Sequence, residues 1–218
     1  MNAPAIQLLV LAGIAIFLVL RLRSVLGTRE GFEKPVAREN PADARRAGFE
    51  VIEGGPDRDI TDHVDEGSNA ANELAELKRA EPGFGVTDFI QGARGAYEMI
   101  LMAFERGELD DIRPFLSDDI YDSFNSVVQA RRDQGLTVEA EFIGVRSVTL
   151  VDANFDAPTR EAEITIRFVG ELTVAVRDKG GDLIEGSPTE VKRQKDTWTF
   201  ARTMGSDDPN WKLVATGE

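Results

Sequence analysis

The stretch AEITIRFVGELTVAVR, residues 162–177, constrains this chain more than any other segment. Its apolar side chains recur at alternate positions, with Glu, Thr and Arg at most positions between them, which predicts a β-strand with one covered face. The apolar positions are Ala162, Ile164, Ile166, Phe168, Leu172, Val174 and Val176. Gly170 interrupts this face and predicts a bend or the close approach of another element. Because long strands twist, the sheet that contains this strand is expected to curve.

Three further strands are predicted around it. Thr137–Val151 alternates until the pattern slips near Gly144, which is typical of a β-bulge. After the turn DKGGD the chain returns as Val191–Arg202, and after the turn SDDPN the residues Trp211–Ala215 alternate again. Short turns between consecutive strands predict an antiparallel meander of four strands.

Three helices are predicted before these strands. Thr87 is expected to N-cap a helix over Asp88–Arg106 that ends at Gly107. Leu109–Leu116 is predicted as a short second helix and Asp118–Gln134 as a third. The predicted fold is therefore α+β, with three N-terminal helices packed on a curved four-stranded antiparallel sheet.

The first residues predict a transmembrane helix. Ala3–Leu20 contains one polar side chain and no charge, and at a helical rise of ~1.5 Å it covers about 27 Å, close to a hydrocarbon core. A cleaved signal peptide is the alternative, but no basic residue precedes the run, and Arg21 and Arg23 follow it. We therefore expect an uncleaved anchor over residues 1–23. The positive-inside rule predicts a single pass with the N-terminus outside and the remainder in the cytoplasm.

Residues 24–83 are rich in Gly, Pro, Asp and Glu and are predicted to be an acidic flexible linker. A short helical piece is expected at NELAELKRA, residues 72–80, where two leucines share a face. FEVIEGG, residues 49–55, is a weak candidate for a docking motif. The folded domain is predicted to cover residues 84–218.

Composition excludes several classes of function. The chain has no cysteine, one histidine (His63) and a formal net charge of −14. Cysteine-ligated metals, a histidine metal cluster and a Ser-His triad are excluded by this inventory, so no metal, cofactor or catalytic residue is predicted. The acidic balance argues against nucleic-acid binding, which needs clustered Lys and Arg.

A candidate binding groove is predicted between the first helix and the sheet. The small residues of GARGAY at residues 92–97 make the helix slim at one end, which could leave a cavity against the curved sheet. The residues predicted to line it are Ala93, Ala96, Tyr97, Ile100, Phe168, Trp198 and Phe200. Ordinary core packing of these side chains is the preferred alternative, because buried aromatic residues dominate cores.

Three stretches also resemble a known family. GARGAYEMILMAFERGELDDIRPFLSDDIYDSF (residues 92–124), DTWTFAR (196–202) and DPNWKLVAT (208–216) are similar to the Tim44-like domain. The resemblance implies a cone-shaped α+β roll of the nuclear-transport-factor-two-like superfamily. Its bacterial members are TimA-type adaptors, and its mitochondrial namesake is an inner-membrane translocase subunit that recruits a DnaK-class chaperone. A partner at the translocation, insertion or assembly machinery is therefore expected, at the bacterial inner membrane.

The function expected from these features is that of a membrane-tethered adaptor that binds a protein partner or client, with a lipid acyl chain as a second candidate ligand. The alternative is an isomerase- or dehydratase-like enzyme of the same superfamily that acts on a small apolar ligand. The inward face of the long strand offers no ionisable group, and no general base is expected to face Tyr97 or Tyr121 from a strand. The chain is therefore predicted not to be an enzyme.

Overall fold

The computed structural model of this protein describes residues 56–217. Four strands form one antiparallel sheet in the order β1-β2-β3-β4, so each strand pairs with its neighbours in sequence. They are β1 (Thr137–Asp156), β2 (Glu161–Arg177), β3 (Leu183–Thr203) and β4 (Lys212–Gly217). The α+β class and the four-stranded meander are therefore confirmed.

The helices of the described part are α1 (Arg58–Thr61), α2 (Asn69–Ala80), α3 (Val86–Arg106) and α4 (Asp118–Gln134). A 3-10 helix, Asp110–Phe115, lies between α3 and α4 in place of the predicted short α-helix. It contains a proline, which has no amide hydrogen to donate and therefore limits a continuous α-helix. Among residues 56–217, no helix is both long and apolar enough to cross a membrane. The predicted span at residues 3–20 lies outside this range.

The register of the sheet shifts at several points. β1 slips relative to β2 between Phe142 and Gly144, where the sequence predicted a bulge, and slips again further along. β3 begins earlier than predicted, because residues 183–187 pair with the end of β2. Residues 188–191 are then inserted between Ser187 and Lys192 without partners on β2. The Gly-Ser-Pro sequence at this irregular point explains why alternation did not reveal the first half of β3.

The core lies between one face of the sheet and the helices. The predicted apolar face of β2 is buried from Ala162 to Leu172, and α2 and α3 pack against β1 beside it. α4 is attached to α3 by the rings of Phe104 and Phe124, 4.6 Å apart, and by an ion pair between Glu105 and Arg131. The sheet thus has one face covered by helices, as the alternation in β2 predicted.

The start of the packed unit differs from the prediction. The structure places it at Pro56 rather than at residue 84, because α1 and α2 pack on the core. The predicted helical piece at residues 72–80 is part of α2, and its Leu74 and Leu77 are fully buried. Two leucines on one face of a short helix are enough to dock it on an apolar surface, although the surrounding composition is that of a linker.

The N-cap of α3 also differs from the prediction. The N-cap residue is Gly85, which provides no side-chain cap. The carboxylate of Asp59 in α1 instead accepts hydrogen bonds from the backbone amides of Val86 at 2.8 Å and Thr87 at 2.9 Å. It also pairs with Lys78 of α2 at 2.9 Å. Although burial by itself would raise the pKa of Asp59, these hydrogen bonds outweigh it and hold that pKa well below its ordinary value.

Candidate functional site

The residues predicted to line a groove lie together between α3 and the inner face of β2 and β3. Ala93, Tyr97 and Ile100 of α3 are buried, and so are Phe168, Trp198 and Phe200 of the strands. Ala96 is partly buried and packs against the same cluster.

The aromatic members of this cluster are in direct contact. The ring of Tyr97 stacks on Phe168 with centroids 4.4 Å apart and planes at 12°, and it lies 4.8 Å from the ring of Trp198. Trp198 in turn lies 6.2 Å from Phe200. These side chains form closely packed core, as the alternative interpretation expected, rather than the walls of an open groove.

Gly170 lies directly against Tyr97. A Cβ atom at Gly170 would meet the Tyr97 Oη at 2.6 Å and the Cε1 at 3.0 Å, closer than a normal contact. The close approach predicted at this glycine is therefore confirmed, and α3 is the element that approaches. The absence of a side chain at this point of β2 allows the tyrosine to lie flat between the helix and the sheet.

The phenol of Tyr97 meets a carboxylate that the sequence did not place there. Its Oη donates a hydrogen bond of 2.6 Å to Oδ2 of Asp196 on β3, and Oδ1 of Asp196 accepts one from Gln194 at 3.0 Å. The prediction that no general base faces Tyr97 from a strand is therefore wrong. Alternation along DTWTFAR puts Asp196 on the same strand face as Trp198 and Phe200, so this signal was present in the sequence.

The surroundings of Tyr97 and Asp196 determine whether the phenol can release its proton. Burial raises the pKa of Tyr97, and the hydrogen bond to Asp196 raises it further, so the phenol keeps its proton far above neutral pH. Tyr97 is thus a hydrogen-bond donor that ties α3 to β3. Within residues 56–217, no group of three or more His, Asp or Glu side chains is arranged to hold a metal ion.

Two surface pockets lie near the C-terminal end of α3, and neither is lined by any of the predicted groove residues. The first, of about 450 Å³, opens between the C-terminal half of α3, the 3-10 helix and the start of β1. The second, of about 490 Å³, lies on the other side of residues 107–111, against α4. Sequence reasoning missed both, since the carboxylates around them have no distinguishing spacing along the chain.

The structural elements define this part of the chain as an α+β domain in which helices cover one face of a four-stranded antiparallel meander. The chain belongs to the Tim44-like domain family, whose family model matches residues 70–218. The matched region includes nearly all of α2, which the sequence analysis had assigned to the linker.

Similar proteins include mitochondrial import inner membrane translocase subunits. The human subunit TIM44 is 24% identical over 144 residues, which cover 65% of this chain and 31% of the relative. The Arabidopsis thaliana subunit TIM44-1 is 20% identical over 154 residues, with 67% and 32% covered. The chain therefore spans about a third of the length of these curated relatives.

Among solved structures, the intermembrane space region of the chloroplast protein ARC6 is similar with a TM-score of 0.39 and 11% identity. The match covers 59% of this chain and 94% of that one.

Proposed function

We propose that this protein is a membrane-tethered, non-enzymatic adaptor that binds a protein partner or client at the cytoplasmic face of the bacterial inner membrane. Its role would lie in protein translocation or membrane-protein assembly. The observation that carries the proposal is a Tim44-like domain at residues 70–218 in a chain whose residues 3–20 are uncharged and, apart from Gln7, apolar.

The geometry of the domain supports binding rather than chemistry. The interior under α3 is filled by rings in contact, and its one phenol-carboxylate pair holds its proton tightly. Helices packed on one face of a bulged antiparallel sheet are consistent with the α+β class expected for the family. The named relatives are subunits of a protein import translocase, which supports protein translocation as the setting.

Membrane attachment and topology are tested together in intact cells. The full chain should fractionate with the inner membrane, and deletion of residues 2–23 should release it. An alkaline phosphatase fused after Glu218 should be inactive, because the enzyme requires export, whereas a cytoplasmic reporter at the same point should be active. Activity of the phosphatase fusion would contradict the proposed topology.

Adaptor function is tested by site-specific photo-crosslinking of the full chain in the same cells. Probes at exposed positions on three elements, Met99 of α3, Ile143 of β1 and Val127 of α4, sample different faces of the domain. At least one should trap a defined component of the translocation or insertion machinery, and the probe on another face serves as its control. If none traps a component reproducibly, the adaptor proposal fails.

The pair of Tyr97 and Asp196 is the observation that favours the alternative function, an isomerase- or dehydratase-like enzyme. Such an enzyme would have to open the packed cluster to admit a small apolar ligand, since Tyr97 is fully buried. Binding of small apolar ligands, followed by quenching of tryptophan fluorescence, would test it. Saturable quenching that is lost in Tyr97→Phe would support the enzyme, and its absence supports the adaptor.

A further inference from the structure

The pocket beside the C-terminal half of α3 has the size and position of a docking groove. It is an opening of about 450 Å³ between α3, the 3-10 helix and the first residues of β1. Its lining residues are Glu98, Met99, Met102, Ala103, Arg106, Glu108, Asp111, Ile112, Ala140, Glu141 and Phe142. A volume in this range accommodates a few side chains of a partner.

The floor of this groove is apolar and partly open to solvent. Met99 of α3 is 38% exposed, and Phe142 of β1 is only partly buried. Met102 and Ile112 are buried beneath them. Methionine side chains adapt to irregular apolar partners, and an exposed apolar floor with a polar rim is typical of an interaction site.

The rim of the groove is negatively charged. Glu98, Glu108, Asp111 and Glu141 are exposed, and none of them forms an ion pair with any residue of the described range 56–217. Arg106 is the only cation in the lining.

Unlike the rim carboxylates, the charged side chains next to the groove have partners within the domain. Glu105 pairs with Arg131, and Glu139 pairs with Arg177. Arg94, one helical turn before Glu98, donates to the carbonyl of Val145 at 3.1 Å. The rim carboxylates therefore remain available to cations supplied by a partner.

We infer that this groove binds a basic amphipathic segment of a partner protein. Apolar side chains on one face of the segment would lie on Met99 and Phe142, while Lys or Arg residues flanking that face would pair with the rim carboxylates. A second copy of this chain is the less suitable occupant, because two chains of net charge −14 repel each other. The inference rests on the proposed adaptor function and names the class of segment that the adaptor takes.

The test uses the full chain in phosphatidylcholine nanodiscs and a fluorescent synthetic peptide of Leu and Lys at helical spacing. A Leu-Glu peptide of the same spacing and empty nanodiscs are the controls, and binding is followed by fluorescence anisotropy. Only the Leu-Lys peptide should bind above the empty-nanodisc background, and its affinity should fall as the salt concentration rises.

Charge reversal locates the binding site. The double variant Glu98→Lys/Glu141→Lys should weaken binding by about tenfold or more at low salt, because it places like charges on the rim. The matched control Glu163→Lys/Glu190→Lys makes the same change in net charge at two exposed carboxylates outside the groove and should leave affinity within about twofold. Met99→Ser should weaken binding without altering its dependence on salt.

Equal weakening by the two double variants would show general attraction to an acidic surface and would overturn the inference, as would unchanged binding by the rim variant. Self-association of the chain that the rim variant abolishes would also overturn it, since the occupant would then be a second copy. Circular dichroism of each variant confirms that it is folded.

If photo-crosslinking traps a partner only through Ile143 or Val127, the adaptor function stands and this inference fails. If no probe traps a partner, the adaptor function itself fails.

Discussion

The close approach of α3 to the sheet at Gly170 can be tested by adding one methyl group. In Gly170→Ala the new Cβ would lie 2.6 Å from the Tyr97 Oη and 3.2 Å from its Cζ. The ring cannot move away easily, because its hydroxyl is held by Asp196 at 2.6 Å and its face is stacked on Phe168 at 4.4 Å. We therefore expect the substitution to strain the contact between α3 and β2.

Two opposing terms set the size of this effect. Overpacking of a closely packed site costs about 1–3 kcal/mol. Replacement of glycine by alanine in ordinary backbone stabilises a protein by about 0.4–1 kcal/mol, because it lowers the conformational entropy of the unfolded chain. This gain applies at Gly170, since its φ is not positive. The free energy of unfolding should therefore fall by about 1.3 kcal/mol, the midpoint of a range that reaches about 2.6 kcal/mol.

The assay is urea unfolding of the full chain in detergent micelles, followed by the fluorescence of Trp198 and Trp211. The matched control is Gly144→Ala on β1, where an added Cβ meets nothing within 4 Å and φ is also not positive. This control should be neutral or stabilised by about 0.4–1 kcal/mol. The slope of the unfolding free energy with urea should not change.

A double variant identifies the atom responsible. Tyr97→Phe removes the Oη, the atom nearest to the new methyl group, so Gly170→Ala should cost about 1 kcal/mol less in that background than in the wild type. If Gly170→Ala is as stable as Gly144→Ala, α3 does not pack against β2 as described. If its cost is the same in both backgrounds, the Oη is not the atom that clashes.

Three further substitutions test other contacts, with the same unfolding assay. Tyr97→Phe alone should cost about 1–2 kcal/mol, because it removes a donor to the half-buried carboxylate of Asp196; an unchanged stability would contradict that hydrogen bond. Asp59→Asn should cost about 1 kcal/mol near neutral pH through the weaker cap of α3. Because the folded-state pKa of Asp59 lies below its unfolded value, this difference should be fully present above about pH 4 and shrink as the pH falls further; a constant difference would refute the assignment. Ala96→Trp should cost about 1–3 kcal/mol by overpacking, whereas loss of a co-purifying apolar ligand without loss of stability would restore the groove hypothesis.

The elements that local chemistry determines were predicted well from the sequence. Ser117 caps α4 and Gly135 ends it in the left-handed conformation, so the predicted bounds of that helix match the structure. The alternating face of β2 is buried from Ala162 to Leu172, whereas Val174 and Val176 beyond it are only partly buried; the glycine that interrupts this face meets another element. These features depend on periodicity, caps and turns, which are properties of neighbouring residues.

The features that tertiary structure decided join residues distant in sequence. The cap of α3 comes from Asp59, in a segment whose composition predicts a linker. Alternation puts Asp196 on the inner face of β3, but only the packing of α3 on the sheet brings its carboxylate to Tyr97. The groove beside Met99 exists only because β1 and the 3-10 helix stop short of covering α3. Local patterning can determine which faces are apolar, but only the packed chain determines which polar group meets which partner and which apolar surface stays open.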